Sequence, residues 1–139
     1  MSDGLDAYSV VVRFPVHWGK MDALGHVNHI RYLAWFETAR MAMFERLGLT
    51  ETGDTPMGPI LAHVSCDYTA PVDWPANIAV GARIGRVGRT SLVTEYAVFV
   101  DGEAPVEVAR GQAIIVLFNY RDGVKVPVPD TLRAAIEAL

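Results

Sequence analysis

The sequence predicts a two-layer α+β domain in which a five-stranded antiparallel sheet wraps one long central helix and a short helix closes the chain. Three observations predict it: a stretch from Asn28 to Leu47 without proline or glycine, apolar residues spread around most of that stretch, and a following series of apolar segments joined by short turns. A helix that is apolar on most sides has to be surrounded, and strands joined by short turns pair antiparallel. A strongly twisted sheet can enclose such a helix, and any apolar helix face left over requires a second subunit. With 139 residues, 51% of them hydrophobic, and no Pro/Gly/Ser-rich or single-charge stretch, residues 1–139 read as one domain.

In chain order, Val10, Val12, Phe14 and Val16 alternate with Val11, Arg13 and Pro15, the period of two of a half-buried strand. This strand leads into a glycine-bearing turn around Asp22. Asn28 is a suitable N-cap and Gly48 a stop signal for the long helix, about five turns in length. Ile30, Leu33, Ala34, Met41 and Phe44 form one expected apolar stripe, and Tyr32, Trp35, Phe36, Ala39, Met43 and Leu47 cover much of the remainder. After the loop from Gly48 to Pro59, strands are expected at Ile60–Tyr68, Ile78–Val87, Ser91–Val100 and Val106–Phe118, with Asp101-Gly102 as a hairpin turn. Asp130 and Thr131 are expected to cap a terminal helix whose Leu132, Ile136 and Leu139 dock on the body.

Composition narrows the function classes. A formal charge of -4 with dispersed basic residues argues against nucleic acid or an anionic membrane as a partner. The start MSDGLDAYS has neither the basic leader nor the apolar run of a secretory signal, and no segment reaches the roughly 18 apolar residues of a membrane span. The single cysteine, Cys66, excludes an intrachain disulfide. A cytoplasmic location is the expectation.

The segment from His17 to Arg40 carries the chemistry. Asp22 stands just before the helix start, where first-turn N–H groups lack intrahelical partners and the peptide dipoles add partial positive charge. A carbonyl oxygen bound there would be polarised, and a carboxylate beside a polarised carbonyl suggests acyl-group hydrolysis. From spacing alone, a turn-forming or capping role for Asp22 is equally available.

Trp18, Asp22, Gly25, His26-Val27-Asn28 and Tyr32-Leu33, followed by Glu37-Thr38-Ala39-Arg40, give the chain its resemblance to the hotdog-fold acyl-CoA thioesterases, in particular the 4-hydroxybenzoyl-CoA thioesterase-like branch. The resemblance covers nearly the whole chain, with weaker support from Tyr68, Pro71 and Gly88-Arg89-Thr90-Ser91. It implies that Asp22 is catalytic, either attacking the thioester carbonyl or activating a water, and that the backbone N–H near His29 supplies the oxyanion-type donor. It implies further an acyl-CoA substrate, a homodimer or homotetramer with the site between subunits, and no cofactor, CoA being part of the substrate. Two departures stand out: Lys20 where members often carry an acidic residue, which bears on the charge around Asp22, and His29 where they often carry Asn, which bears on substrate choice.

Other residues fall into place around this reading. Gly25, His26 and Asn28 are expected to shape the turn and helix start. The alternative of a metal site at His17, Asp22, His26 and His29 is set aside, since the resembling motif works without one. Glu37 and Arg40, at i and i+3, make a simple ion pair, Glu37 remaining a supporting candidate for the site. Arg86 and Arg89, with Thr90 and Ser91, match the family segment near the CoA arm and are candidates for its phosphates; Arg83 and Arg121 add positive charge near strand ends. His63, Ser65 and Asp67 share a strand face, but same-face neighbours lie roughly 7 Å apart, too far for a direct relay. Cys66 points away from His63. A hotdog hydratase or dehydratase and a non-catalytic acyl-CoA or acyl-carrier-protein binding module are the alternatives.

Overall fold

The computed structural model describes residues 4–19, 21–49 and 57–139. Lys20 and the loop residues 50–56 lie outside the described residues. After a short 3-10 turn at Leu5–Ala7, the elements are β1 (Val10–Pro15), α1 (His29–Arg46), β2 (Met57–Tyr68), β3 (Asn77–Val87), β4 (Ser91–Val100), β5 (Val106–Asn119), β6 (Val124–Lys125) and α2 (Asp130–Ala138). The sheet runs in the order β1-β3-β4-β5-β2, every pair antiparallel, with the two-residue β6 added on β5. This is the hotdog architecture. Four of its five main strands begin and end within a residue or two of their sequence expectation; β2 ends at Tyr68 as expected but starts earlier, at Met57, and β6 is too short to show a period.

Helix α1 lies on one face of the sheet through Tyr32, Phe36, Ala39, Met43, Phe44 and Leu47, all buried. Their spacing of three and four is that of one helical stripe. Phe36 is fully buried and stacks on Tyr96 of β4, ring centroids 4.7 Å apart at 12°. Beside Tyr96 in the register is Gly111 of β5, where an added Cβ would run into the backbone oxygen of Ser65 and the Phe36 ring. Glycine is required there because the helix presses directly on the strand.

The expected helix stripe needs correction. Ile30, Ala34 and Met41 are exposed, so α1 in one chain is covered along one side and is not enclosed. Arg40, expected as half of a surface ion pair, is instead 7% exposed; its Nη1 donates to the Tyr96 hydroxyl at 3.2 Å, and Glu37 is a distant partner at 3.9 Å. The long apolar stem of arginine lets it sit in a core stripe while its head finds oxygen partners. Tyr96 in turn shares a short hydrogen bond with Thr94, which donates to Ala113 O at 3.1 Å. At the C-terminus the cap position of α2 falls on Pro129, not on Asp130 or Thr131; Asp130 stands in the first turn, where its charge suits the helix dipole.

Strand β2 carries a bulge: Leu61 pairs with Ile115 and His63 with Ile114, leaving Ala62 as the extra residue. Beyond it, Val64, Cys66 and Tyr68 face α1, whereas Ser65 and Asp67 face the opposite side of the sheet. No helix among the described residues is long and apolar enough to cross a membrane.

Removing the Phe36 ring leaves a cavity between α1 and Tyr96, so Phe36→Ala is expected to destabilise the fold by about 3–5 kcal/mol in urea denaturation; a loss below about 1 kcal/mol would show that the stack does not anchor the helix.

Candidate active site

The position of Asp22 follows from a small hairpin. Met21 and Val27 form an antiparallel bridge, the Asp22 N–H donates to His26 O at 2.7 Å, and the Gly25 N–H donates to Asp22 O at 3.1 Å. Ala23, Leu24 and Gly25 are thus a three-residue loop whose last residue has φ +82°, the left-handed region that this loop type reserves for glycine. The Asp22 side chain holds the loop from within: its Oδ1 accepts from Leu24 N–H at 2.9 Å and His26 N–H at 3.4 Å. The loop thus engages Oδ1, and Oδ2 has no partner among the described residues. Val27, buried, ties the hairpin to the chain beyond β2 through a 2.9 Å hydrogen bond from its N–H to Val72 O.

Helix α1 begins three residues past the loop. Asn28 is the N-cap, its Oδ1 accepting from Ile30 N–H at 3.0 Å, while its backbone oxygen accepts from Arg31 N–H at 3.0 Å. Between them the His29 N–H donates to no group among the described residues. It stands at the electropositive end of an 18-residue helix.

Asp22, His26, His29, Tyr32, Tyr68 and Pro71 line one cavity of about 430 Å³. The Tyr68 hydroxyl donates to His29 O at 3.3 Å, and its ring meets those of His29 and Tyr32 edge-on at 6.3 and 5.0 Å. The Tyr68 phenol is pushed up to about 12, first by burial and then by the hydrogen bond and charge of Cys66. Although the residue as a whole is 45% exposed, its hydroxyl is tucked against the helix start. Burial likewise raises the Tyr32 phenol and the Cys66 thiol above their ordinary ranges. The Tyr32 and Tyr68 hydroxyls in this cavity thus stay protonated and uncharged at neutral pH, and Cys66 is held away from the thiolate form that nucleophilic chemistry needs.

Two contacts at the rim escape a sequence reading. His26 Nδ1 lies 2.8 Å from Asp73 Oδ1, and Trp18 packs edge-on against Trp74 at 4.8 Å. Their partners stand 47 or more residues apart; the one sequence signal is the proline-flanked stretch Pro71-Val72-Asp73-Trp74-Pro75 between two strands.

The remaining candidates lie elsewhere. Glu37 is exposed on α1 and does not line the cavity. Arg86 and Arg89 are exposed, and with Thr90 and Ser91 they surround the β3–β4 turn. Asn77 opens β3 beside Pro15, at the end of the sheet where β1 leads into the Asp22 hairpin, so the turn beyond Val87 lies roughly 33 Å away along the strand. One chain does not bring these four residues to Asp22. Ser65 and Asp67 line a separate cavity on the other sheet face with Arg83 and Glu95, where Arg83 is already paired with Glu95 at 2.8 Å and stacked over Tyr8. His63 is not among its lining residues. Among the described residues no three His, Cys, Asp or Glu side chains gather as a metal site would need.

A family model described as the Thioesterase-like superfamily matches residues 16–136. Among solved structures, a thioesterase-superfamily protein from Jannaschia sp. CCS1 is 32% identical with a TM-score of 0.85, over 93% of this chain and 81% of that one. A Thermus thermophilus thioesterase solved with coenzyme A and zinc is 29% identical with a TM-score of 0.81, over 93% of this chain and 98% of that one. The protein YsmA of Bacillus subtilis strain 168 is 24% identical over 90 residues, which span 65% of this chain and 60% of that protein's length.

The raised Tyr68 phenol has a pH signature. The folded state binds this proton more tightly than an unfolded tyrosine titrating near 10, so the associated stability is complete below pH 10 and is lost as pH rises towards 12. Tyr68→Phe is expected to flatten that part of the stability–pH curve measured by denaturant titration; an unchanged slope would remove Tyr68 as its source.

Proposed function

This chain belongs to the thioesterase-like superfamily, and from that premise we propose that it hydrolyses an acyl-CoA to a free carboxylic acid and CoA at the cavity between Asp22 and the start of α1. The observation that carries the reading is the presence, in one cavity, of the Asp22 carboxylate, whose Oδ2 has no partner among the described residues, and of His29, whose N–H likewise has none among them. A carbonyl oxygen against that N–H would meet the positive end of five helical turns just as negative charge develops on it. The Asp22 carboxylate then acts on the carbonyl carbon, by direct attack or by taking a proton from a water that attacks. The tetrahedral oxyanion collapses, the C–S bond breaks and the thiolate leaves. In the direct route one water then hydrolyses the acyl–aspartate anhydride, giving the free acid and regenerating the carboxylate. Single turnover in ¹⁸O-water tests the direct route: label in Asp22 shows an acyl–aspartate opened at the aspartyl carbonyl, whereas water activation labels the product acid alone.

The CoA substrate is supported by the Thermus thioesterase solved with that molecule. Arg86, Arg89, Thr90 and Ser91, far from Asp22 in their own chain, serve the CoA arm only if a second copy brings its β3–β4 turn to this cavity. Exposed Ile30 and Met41 on α1, and exposed Ile60 and Leu61 on the edge strand β2, supply apolar surface that such a copy would cover. The protein acts in this reading as a homo-oligomer with sites between subunits and uses no cofactor.

Asp22→Asn is expected to lower kcat for thiol release at least about 100-fold while acyl-CoA still binds with a few-fold change in KM; equal turnover in variant and wild type would overturn the assignment, and binding without any release in wild type would favour a binding module. The double variant Arg86→Ala/Arg89→Ala is expected to raise KM for acyl-CoA about tenfold or more with kcat little changed. The shorter acyl-pantetheine, which lacks the nucleotide, should show no such difference, and equal KM values for acyl-CoA would take the arginines out of the site.

A further inference from the structure

The loop that carries Asp22 is exposed from Asp22 to His26, and among the described residues its single side-chain hydrogen bond to another segment is His26 Nδ1 to Asp73 Oδ1. His26 is also the residue that grips Asp22 by the backbone, accepting the Asp22 N–H at 2.7 Å and donating its own N–H to Asp22 Oδ1 at 3.4 Å. Asp73 follows Val72, which is 1% exposed and receives the Val27 N–H. An anchored wall therefore reaches the hairpin from two successive residues, once by backbone and once by side chain. A carboxylate only accepts hydrogen bonds, so the proton of the Asp73 bond resides on Nδ1, which in the neutral form of the ring leaves Nε2 as the acceptor.

We propose that Asp73 is a positioning residue for Asp22, acting through His26: it fixes the ring and tautomer of His26 and with them the turn from which the Asp22 carboxylate projects. The proposal rests on the thioesterase reading for its kinetic consequence alone. Both side chains of the pair are well exposed, 48% and 68%, so the pair adds little to global stability. Geometry at the reacting carboxylate is far more sensitive, since a displacement of about 1 Å can cost about 100-fold in rate. The backbone ties of the hairpin survive loss of Asp73, which places the expected effect nearer tenfold.

The test compares wild type, Asp73→Ala, His26→Gln and the double variant in a thiol-release assay, with thermal midpoints and ¹⁵N imidazole and amide spectra of the same proteins. Asp73→Ala should lower kcat about tenfold, with KM within about twofold and an almost unchanged Tm. The double variant should be no slower than His26→Gln alone, because Asp73 acts by one path. The wild-type His26 ring should report the Nδ1–H tautomer and lose it in Asp73→Ala, and the Leu24 and His26 amides that donate to Asp22 should shift. Wild-type kcat in Asp73→Ala, losses that multiply in the double variant, an Nε2–H ring in wild type, or unmoved amides would each overturn the proposal. Should wild type release no thiol from any acyl-CoA, the thioesterase reading fails, while the spectra, which need no substrate, still decide the link from Asp73 to Asp22.

Discussion

The stack of Phe36 on Tyr96, over the bare backbone of Gly111, sets where α1 sits on the sheet. Arg40, one turn further along, ties the helix to the hydroxyl of the same tyrosine, and Thr94 carries the connection to β5 through Ala113 O. A flat ring over a residue without a side chain defines depth, and a hydrogen bond one turn on defines rotation. With both fixed, the helix N-terminus has one place to emerge, next to Tyr68 and Val72. The site thus depends on a contact that touches none of its residues.

The groups of the candidate site come from three separate segments. The hairpin gives a carboxylate with one oxygen committed to the loop, the helix start gives Tyr32 and an N–H without a partner among the described residues, and the end of β2 gives Tyr68, both hydroxyls staying protonated. Among the described residues, the carboxylate in this cavity thus faces polar but uncharged neighbours across its width, apart from the histidines of its own loop and helix start. Such a cavity suits a charge that develops during reaction better than one already present in the substrate.

Much of this was legible in the sequence because it rests on local rules. The period of two from Val10 to Val16, the cap at Asn28 and the stop at Gly48 are written in neighbouring residues, and the structure follows them. The motif around Asp22 is likewise local, so the turn, the helix start and their adjacency could be read. Helix orientation could not: with apolar residues on most sides of α1, Ile30 and Met41 competed with Tyr32 and Phe36 for the core, and the choice was made by Tyr96 and Gly111, far away along the chain. Arg40 misled for the same reason, since its buried partner is a tyrosine hydroxyl on another element and its visible one, Glu37, is a weak neighbour. Asp73 entered the site by tertiary contact alone.

The extra residue in β2 at Ala62 has a consequence for how this molecule tolerates change. Side chains alternate along a strand, so each residue beyond a bulge has its face decided by counting. Leu61 and His63 pair with the consecutive residues Ile115 and Ile114, so deleting Ala62 would leave Tyr68 and Cys66 towards α1 and Asp67 away from it; a residue added between His63 and Tyr68 and taken into the ladder would exchange them, drawing the Asp67 carboxylate under the helix and turning Tyr68 outward. The composition of the aromatic wall is therefore stored in the number of residues between His63 and Tyr68, while the extra residue roughly 20 Å away along the strand can be lost without altering it.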